Sequence, residues 1–262
     1  MFTTEEMRES IPRFLDVWQH RPIRNNQHGM GINHSWALWY LLDRLQPAVV
    51  LESGVWRGHS TWVIEQAAPG VQIYSVDVDL SNRRYVSARA EYFEHDLEQM
   101  DWSGIDTAHA VAFIDDHQDA YRRLEALSWL GFHHLVFEDN HPVGWGDFYT
   151  LKNMQAGAGY PAAGPPEDLR GRARVKVRDF LVERNLLTGR QRPVAPNKYH
   201  WANAEARMAR YIEMPALKLG PTYYRGPRYE DLGERPTELV ADKPLPGEDL
   251  IYNWLTYVEL RP

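Results

Sequence analysis

Val49-Val50-Leu51-Glu52-Ser53-Gly54-Val55-Trp56-Arg57-Gly58-His59-Ser60-Thr61 sets the frame for the rest of the chain. Three apolar residues end at an acid, a glycine follows two positions later, and a second glycine comes four after that. A Ser-Thr pair then leads into Trp62-Val63-Ile64. This order predicts a buried strand, a tight turn and a helix start. Gly54 lets the backbone turn sharply and come close to a ligand, where a Cβ would collide. Ser60 or His59 can cap the helix, whose first N–H groups then face the space above the strand end. Open α/β sheets bind ligands at that edge.

Outward from this corner the same alternation repeats. On the N-terminal side, Thr3 with Glu6 fits a capping box, and Met7, Ile11, Phe14, Leu15 and Trp18 keep helical spacing, so residues 4 to 19 read as an amphipathic packing or oligomer helix. Residues 25 to 34 read as a polar loop before a helix from Ser35 to Leu45, and its His28 and His34 are either solvated or near the site. On the C-terminal side, residues 71 to 79 form a second strand, and Asp77 at its end is placed to accept both hydroxyls of a ribose, with Asp79 as fallback. Asp96, after Tyr92-Phe93, is either an adenine contact or part of a surface turn. Ala108 to Phe113 is a third strand ending in Asp115-Asp116-His117. A helix carrying Ala120, Leu124, Leu127 and Leu130 follows, and Gly131 stops it. His133 to Phe137 is a further buried strand, ending in Glu138-Asp139-Asn140-His141. Strands alternating with helices predict a doubly wound, mostly parallel sheet.

Two such strands ending in acids bring carboxylate, amide and imidazole groups to one sheet edge. Without thiolates, that donor set suits Mg²⁺, Mn²⁺ or Ca²⁺; the plainer reading is a pair of solvated helix caps. The chain has 262 residues and no cysteine, which excludes disulfides and thiolate metal sites. A formal net charge of -7 argues against a general nucleic-acid binder. No apolar run is long enough to span a bilayer, and Thr3-Thr4-Glu5-Glu6 is acidic where a secretion signal is basic, so the expectation is a soluble cytoplasmic protein.

The pattern Glu52-x-Gly54-x-x-x-Gly58-x-Ser60-Thr61 is not the Gly-x-Gly-x-x-Gly dinucleotide fingerprint. It resembles the first motif of class I S-adenosylmethionine-dependent methyltransferases. Phe113-Ile114-Asp115 with Glu138-Asp139-Asn140 is similar to the metal-dependent O-methyltransferases of the catechol and macrolide-sugar (macrocin) types, and the resemblance covers roughly residues 30 to 150. It implies a Rossmann-like, seven-stranded sheet ending in an antiparallel hairpin, for which Asn253 to Leu260 supplies a closing strand. It implies S-adenosylmethionine held by Glu52, Gly54, Gly58, Ser60, Asp77, Asp96 and Asp115, and a divalent cation such as Mg²⁺ held by Asp115, Asp139 and Asn140. The catechol type's catalytic lysine falls at Gln118, which cannot act as a base. Asp116, His117 or His141 must replace it, with His117 favoured.

Eleven of the seventeen prolines fall between Ala156 and Gly247. That density predicts an irregular insertion, set between a core of residues 35–155 and a closing strand within 248–262, with residues 1–34 as an N-terminal helix and loop. Its aromatics Tyr199, His200, Trp201, Tyr211, Tyr223, Tyr224 and Tyr229 form either a substrate cap or a self-packing segment. Arg170, Arg172, Arg174, Lys176 and Arg178 either receive an anionic substrate or form a solvated face. The expected function is O-methylation of a hydroxylated small molecule, a sugar or glycosylated natural product, by a homo-oligomer. A hydroxylase-like enzyme on the same scaffold and a non-catalytic binding protein are the rivals.

Overall fold

β1 (Val49–Ser53) is an interior strand of the sheet, as its uninterrupted apolar run requires. The structure, a computed structural model, describes residues 2–26, 28–160, 194–219, 237–240, 245 and 253–262. Before β1 come helices α1 (Thr4–Trp18) and α2 (Ile32–Leu45); after it come α3 (His59–Ala67), β2 (Gln72–Val76) and β3 (Ala90–Phe93). β4 (Val111–Ile114), α4 (Ala120–Trp129), β5 (His134–Phe137) and α5 (Leu151–Gln155) follow. α6 (Lys198–Arg207), β6 (Met208–Glu213) and β7 (Thr256–Leu260) complete the described elements. The strand order is β3-β2-β1-β4-β5-β7-β6, with β7 antiparallel to both neighbours and the other pairings parallel. This is the expected doubly wound, mostly parallel seven-stranded sheet ending in an antiparallel hairpin.

Alternation along each strand divides the core into two layers. Val111 and Phe113 of β4 face the layer built from α1, α2 and α3, where Phe14, Trp36 and Leu41 are fully buried. Ala112 and Ile114 face the opposite layer with Leu124 and Leu127 of α4 and Met154 of α5. The α1 capping box forms as expected: the Thr3 hydroxyl accepts from Glu6 N, and Glu6 accepts from Thr3 N. The apolar face of α1 packs in the same layer as α2, within its own chain.

Four local expectations change. α2 begins at Ile32, so His34 lies in its first turn and not in a loop. Gly58, at φ 82°, is the N-cap of α3, and no side chain caps that helix; His59 and Ser60 are inside it. β3 and β6 are additional strands. β6, with α6 before it, lies inside the segment expected to be an insertion, so residues 208–213 belong to the core sheet. Among the described aromatics of that segment, His200 stacks on Tyr121 with ring centroids 4.2 Å apart and Trp201 meets Tyr211 edge-on, so these two pack on the body. The basic run 170–178 and Tyr223, Tyr224 and Tyr229 lie outside the described residues. No helix among the described residues is long and apolar enough to cross a membrane.

Candidate active site

Register alone assembles the site. Ser53 pairs with Val76 on one side and Ile114 on the other, and Ile114 pairs with Phe137. The next residues of the four strands, Asp77, Gly54, Asp115 and Glu138, therefore stand in a row at the carboxyl edge. Main-chain bonds continue the ladder there: Gly54 N donates to Val76 O, Asp115 N to Ser53 O and Glu138 N to Ile114 O. Gly54 has φ 95°, and a Cβ on it would lie 2.2 Å from the Asp115 carbonyl oxygen. The close approach that demands glycine in this structure is thus to the neighbouring strand.

Three residues expected at the cofactor serve the scaffold in this structure. Glu52 is fully buried and accepts from the Thr61 and Ser75 hydroxyls at 2.7 and 2.5 Å, tying α3 to β2 from beneath the loop, with Ser60 beside it. Burial pushes its carboxyl up to about 7 despite those hydroxyls. Asp77 accepts from Val55 N (2.8 Å), Trp56 N (3.1 Å) and Asp79 N (3.0 Å). Three of its roughly four lone-pair positions are filled, so it can receive one ribose hydroxyl but not both of a diol. Asp96 grips the Arg123 guanidinium with both oxygens and caps the turn at Glu98. Arg123 also binds Glu98 and Asp116, joining α4 to the loops after β3 and β4.

Asp116 is likewise committed, accepting from the Ser53 hydroxyl, Arg123 Nε and Gln118 N, which removes it as a base. The Asn140 amide is engaged by groups other than Asp115 and Asp139. Its Nδ2 donates to the Tyr211 and Thr256 hydroxyls at 2.9 and 3.0 Å, and its Oδ1 accepts from Lys152 N at 3.0 Å. The residue expected as a cation ligand thus braces β5, the β6–β7 hairpin and α5 in this structure.

His117 takes the place beside the two acids. At φ 53° its ring lies with Nε2 3.9 Å from Asp115 Oδ1 and 3.8 Å from Asp139 Oδ2, while Nδ1 bonds Asp147 Oδ1 at 2.9 Å. Burial alone lowers an imidazole, but the Asp147 hydrogen bond and the Asp115 and Asp139 charges win, raising His117 to about 10. A ring pushed toward its protonated form is a weak base, which turns attention to the second histidine of the cluster. His141, with Nε2 3.5 Å from Asp139 Oδ2, is the remaining candidate.

Behind Asp139, His34 Nδ1 bonds Glu138, and His34 Nε2 accepts from Trp254 N at 3.0 Å. Glu138 stood in the sequence only within the Glu138-Asp139-Asn140 motif and His34 only as a histidine that could lie near the site; their pairing depends on α2, β5 and β7 coming together. Burial, reinforced by neighbouring carboxylates, raises Asp115 and Glu138 well above the ordinary carboxylate range. In Asp139 burial acts the same way but is outweighed by His141 and His117 and by the Glu138 hydrogen bond, so its carboxyl is lowered. Two of the three buried carboxyls, Asp115 and Glu138, are thus pushed toward their neutral forms, by burial first and by neighbouring carboxylates second. That is the electrostatic condition a divalent ion relieves.

The sequence matches no family model and no curated protein. Solved structures with similar folds include CmcI in its Mg-SAM form (21% identity, 48% of this chain and 65% of that chain, TM-score 0.32). Others are an O-methyltransferase from Bacillus cereus in complex with SAH (15%, 66% and 78%, TM-score 0.39) and the SAH-bound Podospora anserina methyltransferase PaMTH1 (13%, 70% and 89%, TM-score 0.40). The matched region spans slightly less than two thirds of the CmcI chains.

Proposed function

We propose that this protein is an S-adenosylmethionine-dependent O-methyltransferase, assisted by a divalent cation such as Mg²⁺ and acting on a hydroxylated small molecule, a sugar or glycosylated natural product. The observation that carries the reading is the row at the carboxyl edge: a glycine turn opening a helix at β1, directly beside an acid and imidazole cluster at β4 and β5.

The methyl donor belongs over β1 and β2. The N-terminus of α3, uncapped by any side chain, offers N–H groups to the carboxylate of the donor's methionine half, and Asp77 offers one acceptor to its ribose. Gly58 permits the close passage of the loop over Tyr85, whose carbonyl oxygen lies 2.6 Å from where a Cβ would stand. The acceptor belongs over β4 and β5, with Asp115 and Asp139 holding the cation. When bound, that ion acidifies a hydroxyl and neutralises the carboxylates. His141 receives the hydroxyl proton, and His34 and Glu138 fix Asp139 from behind. Methyl transfer then needs chiefly alignment of nucleophile and donor, which two stations on one rigid sheet edge provide.

Calorimetric titration of S-adenosylhomocysteine with and without Mg²⁺ tests the reading, followed by mass analysis of a panel of hydroxylated acceptors. Saturable binding and a gain of one methylene are expected, with Asp139→Ala losing the Mg²⁺ effect while keeping S-adenosylhomocysteine. Failure of the parent to bind S-adenosylhomocysteine sinks the proposal, and a gain of oxygen favours the hydroxylase-like rival.

A further inference from the structure

We propose that His117 is itself a ligand of the cation, so that the site is Asp115, His117 and Asp139 with Asp147 orienting the ring, and that it therefore takes a first-row transition cation of the Co²⁺ or Zn²⁺ class in preference to Mg²⁺. The inference rests on the cation-assisted reading above and specifies its donor set.

Geometry carries it. The candidate ligand atoms of the three residues lie within 4.8 Å of one another. At 3.8 and 3.9 Å, Nε2 is too far from either carboxylate for a good hydrogen bond. First-row ions hold nitrogen and oxygen at about 2.0–2.2 Å, which sets neighbouring ligand atoms about 3–4 Å apart. The gap is that of two ligands across an ion. Asp147, outside the trio, engages Nδ1 at 2.9 Å and so turns Nε2 toward Asp115 and Asp139, where a cation would displace the Nε2 proton. A carboxylate holding one imidazole nitrogen while the other faces the ion is the usual support of a metal-bound histidine.

Two further observations exclude the neighbouring alternatives. Asn140, the oxygen donor expected from sequence, is committed through both ends of its amide to Tyr211, Thr256 and Lys152. The second trio, His34, Glu138 and Asp139, has both imidazole nitrogens engaged, by Glu138 and by Trp254 N, so it braces Asp139 and does not compete for the ion. Replacing an amide oxygen by an imidazole moves a site away from Mg²⁺, which favours oxygen and water, toward ions that favour nitrogen.

The test is titration of Co²⁺ and Mg²⁺ into the full chain, with NMR of the Co²⁺-loaded protein. A coordinated histidine shows a strongly shifted, exchangeable ring N–H, here the Nδ1 proton given to Asp147. We expect that resonance in the parent and its loss in His117→Asn, chosen because asparagine tolerates the left-handed backbone. His117→Asn should weaken Co²⁺ about tenfold or more while leaving Mg²⁺ little changed, and Asp147→Asn should weaken Co²⁺ about tenfold. Retained S-adenosylhomocysteine binding certifies that both variants fold. Co²⁺ binding without the shifted resonance, unaffected by His117→Asn, overturns the inference while the cation-assisted reading stands. A parent that binds S-adenosylhomocysteine but neither cation overturns both.

Discussion

Glu52 and Gly54, two residues apart, show how a motif that looks like ligand chemistry is also a structural joint. Glu52 has no exposed surface, and its carboxyl is raised to about 7 from an ordinary 4.5, first by burial. A raised folded-state value means the neutral form is favoured on folding. Its contribution is fully present below about pH 4.5 and is lost as pH rises through about 7, by about 3 kcal/mol at full ionisation. Glu52→Gln should therefore flatten the decline of melting temperature between pH 5 and pH 8; parallel curves for parent and variant would refute this. Gly54→Ala combines a forced positive φ with a 2.2 Å overlap on main-chain oxygen, which no rotamer relieves. We expect a loss of about 3 kcal/mol or more in urea unfolding. The glycine was legible in sequence as a turn residue. That its collision partner is the Asp115 carbonyl depends on β1–β4 register, which no local pattern encodes.

At the scale of elements, α4 is held to two loops by one side chain. Arg123 is nearly buried and binds Asp96, Glu98 and Asp116. Arg123→Met keeps the aliphatic stem but strands three carboxylates. A cost of about 2–3 kcal/mol is expected, below that of a fully buried pair because Asp96 and Glu98 are partly exposed. A change under about 0.5 kcal/mol, the range of ordinary surface substitutions, would mean that solvent already satisfies those acids. Legibility also divides by element. β1, β4 and β5, apolar on both faces, announced themselves as buried strands. β3 is four residues at one edge of the sheet with Glu91 exposed, and β6, at the other edge, follows directly on α6 with Ala209, Arg210 and Glu213 exposed, so neither carries a two-sided apolar run. Missing β6 also hid the part Tyr211 plays as a partner of the Asn140 amide. The engagement of the Asn140 amide is thus set in part by a hairpin some seventy residues downstream.

For the whole molecule, the buried titratable groups act in opposite directions on the two sides of neutrality. Burial, the leading cause in each case, lowers His34 to about 4 and His59 to about 3. Both fold as neutral rings, so their contribution is present above pH 6.5 and is lost as pH falls through those values. His117, raised to about 10, contributes fully below 6.5 and loses that contribution as pH climbs toward 10, while Asp115 and Glu138, also raised, oppose folding once they ionise. The cation-free protein should accordingly be most stable in mildly acidic solution and decline on both limbs. A divalent ion replaces the protons of the acid cluster and binds the folded chain alone, so it should lift the alkaline limb by about 2.7 kcal/mol at one hundred times its Kd and leave the limb below pH 5 nearly unchanged, where the ligands are protonated. Thermal melts from pH 4 to 9 in chelator and in saturating Co²⁺ separate the two effects. Asp139→Ala should abolish the alkaline gain while keeping the acid limb, because His34 and His59 remain buried. A gain of equal size at pH 4 and pH 9 would place the ion somewhere other than this carboxylate cluster.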